Sequence, residues 1–136
     1  MSLVGSIAAV LLALTTGLSA SPILNRLVEP LDDPDIDQKI PYRNLAHRTF
    51  TLVVMVVSLG AGLITFNLVP PAGWFAWAGL AGVGALAIAI DGATTWMPKH
   101  LLWVMWAWIA VGVAIWAIAE VDPWVAIRAC IGAVGV

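Results

Sequence analysis

Residues 49–69 decide the fold, because their sequence, TFTLVVMVVSLGAGLITFNLV, contains no charged residue. A helix rises about 1.5 Å per residue, so a run of about 20 residues is about 30 Å long and matches the hydrocarbon core of a bilayer. Residues 2–20, 72–90 and 101–119 are equally apolar and of similar length. Backbone groups in lipid must satisfy their own hydrogen bonds, so all four runs are predicted to be transmembrane helices.

The composition excludes the other protein classes. Apolar residues make up 62% of the 136 residues and charged residues 10%, whereas a soluble domain carries about 25% charged residues. Disordered chains are poor in apolar residues, and a net charge of -2 offers no basic footprint for nucleic acid. A single cysteine excludes an internal disulfide and a multi-thiolate metal site. The chain is therefore predicted to be an all-α integral membrane protein whose surroundings are the lipid bilayer.

A fifth apolar run begins at Trp124 and continues to Val136, and it is too short to span a bilayer comfortably. We expect one polytopic membrane domain over residues 1–136, with four complete transmembrane helices and the start of a fifth. On this interpretation the natural protein is longer and this chain is truncated at its C-terminal end. The alternative for the fifth run is a short interfacial or re-entrant segment.

The positions of the basic residues predict the orientation of the helices. No Lys or Arg precedes Arg26, so the first run is interpreted as a retained helix and not as a signal peptide. Basic residues are concentrated in the segments between runs one and two and between runs three and four: Arg26, Lys39, Arg43, Arg48 and Lys99. Because such residues stay on the cytoplasmic side, residues 21–48 are predicted to form a cytoplasmic loop, with the N-terminus outside.

This loop has two local patterns. Residues 22–28 are predicted to form a short amphipathic helix on the membrane surface. Asp33, Asp35 and Asp37 have the spacing of a calcium-binding loop. An EF-hand also needs Gly at its sixth position and Glu at its twelfth, where this chain has Gln38 and Asn44. A solvated acidic loop without a metal is therefore predicted.

Asp91 is the candidate catalytic residue, because it follows directly on the third apolar run. A charged group costs about 2.5–3.5 kcal/mol at the centre of a membrane helix and less near the interface. The small residues Ala87 and Gly84 share its helical face, so we expect it to face the protein interior. Two carboxyl groups that share a proton can activate a water molecule. The alternative is that Asp91 only marks the end of the helix or caps the next one.

The segment 91–101, DGATTWMPKHL, resembles the first active-site segment of the prepilin peptidase family, also called type IV leader peptidases. In that family an Asp is followed by a short polar stretch, an apolar residue and Pro, as in Met97-Pro98 here. Residues 24–27 and 40–43 are similar, less closely, to the family's first cytoplasmic loop. By this resemblance Asp91 matches the first catalytic aspartate.

The resemblance implies a membrane aspartic endopeptidase in a prokaryotic inner membrane, with its active site at the cytoplasmic face. Its substrate would be the leader of a type IV pilin-like precursor, which is followed by an apolar helix. Water activated between two aspartates would hydrolyse the peptide bond, with no metal or organic cofactor.

Two departures from the family pattern limit this expectation. The family's second catalytic aspartate lies in a downstream Gly-x-Gly-Asp sequence, which this chain lacks. Asp122, the only aspartate after Asp91, is predicted to lie on the opposite side of the membrane. The first loop also lacks the Cys-x-x-Cys pairs that hold zinc in many bacterial members, so neither zinc nor methyl transfer is expected.

The remaining polar residues are predicted to have structural roles. His47 and His100 are expected at the membrane interface, and Cys130 as an inert core residue. Thr94 and Thr95 are expected to cap the following helix, with hydrogen bonds to Asp91 as the alternative. Arg128 is expected to extend toward the outer interface or to pair with Glu120 or Asp122. A different function also stays open, that of a small non-catalytic assembly subunit or transporter part in which Asp91 is structural or carries protons.

Overall fold

The computed structural model describes residues 1–29 and 40–120, together with Trp124, Ile127, Arg128 and Ile131. Its four main helices are long and apolar enough to cross a membrane, as predicted: Leu3–Leu24, Arg48–Leu68, Pro71–Thr94 and Lys99–Ala119. The regular elements of the described residues are all helical. The chain is therefore an all-α membrane protein. Asp32, Asp33, Asp35, Asp37, Lys39, Asp122 and Cys130 lie outside the described residues.

The first two helices form an antiparallel pair, α1 (Leu3–Leu24) and α2 (Arg48–Leu68). The residues that α1 buries recur every three or four positions and are almost all small: Gly5, Ala9, Ala13, Gly17, Ala20 and Leu24. Positions with this spacing share one helical face. Lipid provides no hydrophobic force between helices, so association depends on close packing, which small residues permit. A Cβ placed on Gly62 of α2 would lie only 3.2 Å from the Cβ of Ala9.

The third membrane span, Pro71–Thr94, changes its helical geometry along its length. A 3-10 turn, Pro71–Gly73, leads into α3 (Trp74–Gly79), a π-helical turn (Leu80–Gly84) and α4 (Ala85–Thr94). The π turn buries the small residues Ala81, Gly82 and Gly84. This span is the most buried of the four and therefore lies at the centre of the bundle.

The fourth span, α5 (Lys99–Ala119), packs antiparallel to the third. The indole of Trp108 donates a 2.9 Å hydrogen bond to the backbone oxygen of Phe75, and the two rings stack with centroids 5.3 Å apart. One turn farther along α5, a Cβ on Gly112 would come within 2.7 Å of the Cβ of Ala76 and still closer to its backbone. Most of α5 otherwise exposes large apolar side chains, which suits a lipid-facing helix.

Two helices extend beyond the ends predicted from the sequence. α1 continues through Pro22 to Leu24, and residues 25–28 are not helical, so the predicted surface helix at residues 22–28 is wrong. The side chain of Leu24 is 1% exposed within the core, and this burial stabilises the last turn. The third span continues past Ile90 to Thr94, so Asp91 lies inside the final turn of the helix and not after it.

We predict that Gly112→Ala destabilises the protein, because its methyl group would overlap the backbone of Ala76. Overpacking of this kind costs about 1–3 kcal/mol. Thermal unfolding in mild detergent measures the change. Gly60 is the matched control, since a Cβ there would meet no atom within 4 Å and Ala is favoured over Gly in a helix by about 1 kcal/mol. An unchanged or raised Tm for Gly112→Ala would contradict the proposed packing.

Candidate functional site

The site is built at the end of the bundle where α1 and α4 end and α2 and α5 begin, which we call the Asp91 end. Asp91 lies in the last turn of α4 and is partly buried. Ala87 and Gly84, on the same helical face, are buried, as the sequence predicts. The Asp91 side chain therefore lies at the packed end of the bundle and is partly exposed.

The helix that carries Asp91 ends at Thr95. The backbone N–H of Thr95 donates a 2.7 Å bond to the backbone oxygen of Asp91, and Thr95 has a left-handed φ of 59°. The hydroxyl of Thr94 donates to the oxygen of Ile90 at 2.8 Å and accepts from the N–H of Trp96 at 3.1 Å. Both threonines thus close α4, and the prediction that they cap the next helix is wrong. α5 follows Pro98 without a side-chain cap.

A buried aromatic pair packs the short 3-10 helix before α2 against the end of α4. Tyr42, in the short 3-10 helix Tyr42–Leu45, is 2% exposed, and Trp96 is 6% exposed. Their rings meet edge to face, with centroids 6.1 Å apart and planes at 72°. Both belong to an apolar core cluster, together with Leu24 of α1 and Ile90 of α4. The position of residues 42–45 relative to the end of α4 is therefore fixed by packing.

Two carboxylates act on the phenol of Tyr42. Burial raises the pKa of this hydroxyl above its ordinary value of 10.0, and the negative charges of Glu29 and then Asp91 raise the pKa further. Tyr42, Glu29 and Asp91 are therefore grouped at one end of the bundle. Sequence reasoning missed Glu29 and Tyr42. The only available signal was that Tyr42 is the single tyrosine of the chain.

The basic residues are also concentrated at this end. Within residues 1–29 and 40–120, every Lys or Arg lies there: Arg26, Arg43, Arg48 and Lys99. Glu120, by contrast, is the C-cap of α5 at the opposite end. Within these ranges, the basic residues are therefore confined to the Asp91 end of the bundle.

The other predicted candidates lie apart from a catalytic arrangement. His47 caps α2, because its Nδ1 accepts a 3.2 Å bond from the N–H of Phe50. His100 is exposed in the first turn of α5, and Arg128 is exposed as well. Across the described part of the chain, no group of three His, Cys, Asp or Glu residues could hold a metal ion.

A groove of about 280 Å³ opens between α1, the third span and α5. We call it the α1–α5 groove. One wall carries the hydroxyls of Thr15, Thr16 and Ser19, and the opposite wall is formed by apolar residues of α5, among them Leu101 and Trp108. The groove extends from the middle of the bundle toward the Asp91 end.

No protein-family model, curated protein or solved structure matches this chain. The assignment of a role to Asp91 therefore depends on residues 91–101 and on the geometry at this end of the bundle.

We predict that Tyr42 ionises above pH 10.0, because burial and two nearby carboxylates disfavour the phenolate. Tyr42 is the only tyrosine, so tyrosinate absorbance during a pH titration reports on this residue alone. Asp91→Asn and Glu29→Gln should each lower the midpoint toward 10.0 without removing the contribution of burial. Glu120→Gln, at the opposite end, should leave it unchanged. A midpoint insensitive to both Asp91→Asn and Glu29→Gln would refute this grouping.

Proposed function

We propose that the chain is part of a membrane aspartic endopeptidase of the prepilin peptidase type, with Asp91 as one of its two catalytic carboxyl groups. The observation that carries the proposal is the position of Asp91. It lies in the last turn of a membrane-spanning helix, partly buried, beside a loop that is packed onto that helix. A carboxyl group in the last turn of a membrane helix can reach water while apolar residues surround the backbone that carries it.

The proposed reaction is the hydrolysis of one peptide bond. An ionised carboxylate takes a proton from water, and the water oxygen attacks the carbonyl carbon. A protonated carboxyl gives its proton to the carbonyl oxygen, which forms a tetrahedral intermediate. The C–N bond then breaks as the amine nitrogen receives the proton that the first carboxylate took from water, and one hydroxyl of the intermediate returns its proton to the second carboxylate. Asp91 would provide one of these groups.

Asp91 is the only aspartate within residues 1–29 and 40–120, and Glu29 is a further carboxylate at the same end. From the resemblance to the family, we propose that the second catalytic carboxyl group lies in a Gly-x-Gly-Asp sequence encoded beyond residue 136. Reading the coding region beyond Val136 tests this directly. If that sequence is missing, the second interpretation becomes preferable, in which a non-catalytic subunit or transporter part uses Asp91 structurally or to carry protons.

The proposed location is a prokaryotic inner membrane, with the Asp91 end in the cytoplasm and the N-terminus outside. The clustering of Arg26, Arg43, Arg48 and Lys99 at that end supports this orientation, because basic residues near membrane helices stay cytoplasmic. A leader peptide that carries positive charge would then meet Glu29 and Asp91 on the same side.

The proposed substrate is a pilin-like precursor with a short leader followed by an apolar helix. The α1–α5 groove supports this choice, because its wall of hydroxyls and small residues is typical of helix–helix interfaces in membranes. Leu86 lines the groove five residues before Asp91, an axial distance of about 7.5 Å. Two or three extended residues cover that distance, so a peptide bond just before the apolar helix would reach the depth of Asp91.

We predict that Asp91→Asn lowers leader removal by at least about 100-fold, because the amide can neither accept the proton of water nor donate one as an acid. The full-length protein is co-expressed with a pilin-like precursor, and the fraction processed is measured by mass. Glu120→Gln is the control, a neutralised carboxylate at the opposite end. Thermal unfolding verifies that both variants are folded. Unchanged processing by folded Asp91→Asn would remove Asp91 from the mechanism.

We also predict that Ser19→Phe slows processing by filling the α1–α5 groove. The neighbouring variant Leu18→Phe places the same ring on a lipid-facing position that is 71% exposed, and it should process at the normal rate. The two variants are compared at equal expression in the same assay. Equal rates for both would show that the groove takes no part in holding the substrate.

A further inference from the structure

Two cavities lie next to each other along the α1–α2 pair. The first, about 360 Å³, is lined at the Asp91 end by Ser21, His47 and Arg48 and below them by Met55. Met55 also lines the second cavity, of about 160 Å³. Because both cavities border on Met55, we describe them together as the α1–α2 groove.

The polarity of this groove changes along its length. Its upper part offers the Arg48 guanidinium and the hydroxyls of Ser21 and Thr51. Below Met55, its second cavity is lined only by apolar side chains, among them Leu14 and Val56. A ligand that fills it must carry negative charge at one end and hydrocarbon along the rest.

The side chains at the polar end of the α1–α2 groove can donate hydrogen bonds to an anion. The Nδ1 of His47 accepts from the N–H of Phe50, so the neutral ring carries its proton on Nε2 and donates from that side. Arg48 is exposed and forms no ion pair with any carboxylate in the described residues. Guanidinium and hydroxyl donors together suit a phosphate group, and basic pockets between membrane helices bind anionic lipid headgroups.

The length of the groove fits one lipid leaflet. Arg48 lines its polar end and Leu59 its apolar part, and these residues are separated by about 16 Å along α2. Half of a hydrocarbon core about 30 Å thick is about 15 Å. An acyl chain whose headgroup lies at Arg48 would therefore end near the middle of the bilayer.

We propose that the α1–α2 groove binds one anionic phospholipid, with its phosphate at Arg48 and His47 and an acyl chain along Met55, Leu14 and Val56. A free phosphate would leave the apolar part of the groove empty. A zwitterionic lipid carries no net negative charge that Arg48 could attract. The site lies on a different side of α1 from the α1–α5 groove and does not depend on the proposed peptidase activity.

The test uses the full chain in a neutral detergent, with phosphatidylglycerol or phosphatidylcholine added at equal concentration. Phosphatidylglycerol should raise the Tm more than phosphatidylcholine does, because a ligand that binds only the folded state stabilises it. Arg48→Gln should weaken phosphatidylglycerol binding about fivefold, the effect of one basic residue near an anionic lipid surface. Arg43→Gln is the matched control, since Arg43 is exposed at the same end but does not line the groove.

A second pair of variants tests the acyl chain. Val56→Trp should fill the apolar part of the groove and reduce the phosphatidylglycerol effect, whereas Val53→Trp, an exposed position of α2 outside the groove, should not. Glycerol phosphate, which has the headgroup chemistry without hydrocarbon, should raise the Tm of the unmodified chain very little. Equal stabilisation by the two lipids, a full effect in Arg48→Gln, or an equal effect of glycerol phosphate would overturn the proposal.

Discussion

The structure depends first on how closely its helices can approach one another without a hydrophobic force between them. In lipid, an exposed Leu and a buried Leu have similar surroundings, so contact energy must come from dense packing and backbone proximity. The chain meets this requirement at two seams, Ala9 against Gly62 and Ala76 against Gly112. The third span packs against both α1–α2 and α5, because its Gly82 lies against α1 and its Gly84 against α5. The position of Asp91 is consequently set by contacts on several sides of the helix that carries it.

At the membrane edge, the helices and the loop are held together by contact between aromatic rings. Tyr42 and Trp96 combine large apolar surfaces with one polar atom each, and such rings are suited to a boundary between apolar core and water. Their edge-to-face contact joins the α1–α2 loop to the end of α4. The negative charges of Glu29 and Asp91 both raise the pKa of the Tyr42 phenol. Apolar packing and charge therefore act on the same side chain at this end.

The membrane spans could be predicted closely because bilayer thickness fixes their length. Residues 49–69 correspond to Arg48–Leu68, and residues 101–119 to Lys99–Ala119. The ends at Leu24 and Thr94 could not be predicted from hydropathy. The end of α1 depends on the burial of Leu24 in the core, and the end of α4 depends on the left-handed backbone of Thr95. The apolar pattern also gives no sign of the π turn at Leu80–Gly84, because the residues stay apolar while the pitch of the helix changes. For the site, the helical face of Asp91 followed from spacing. Its neighbours Glu29 and Tyr42 come from distant parts of the sequence and meet only through tertiary packing.

The three faces of α1 explain why its polar residues are grouped. Its small residues meet α2, its long apolar residues such as Leu18 face lipid, and its hydroxyls at positions 15, 16 and 19 line the α1–α5 groove. A hydroxyl at membrane depth is costly unless it is hydrogen-bonded. Thr15 donates to the carbonyls of Leu11 and Leu12 of its own helix, and Thr16 accepts from Ser58 at 3.5 Å. These bonds need no ligand, so the hydroxyls of Thr15 and Thr16 are hydrogen-bonded when the groove is empty. Each oxygen also keeps a lone pair for a helix that enters. A surface of that kind can bind and release a membrane-embedded partner without unfolding its own helix.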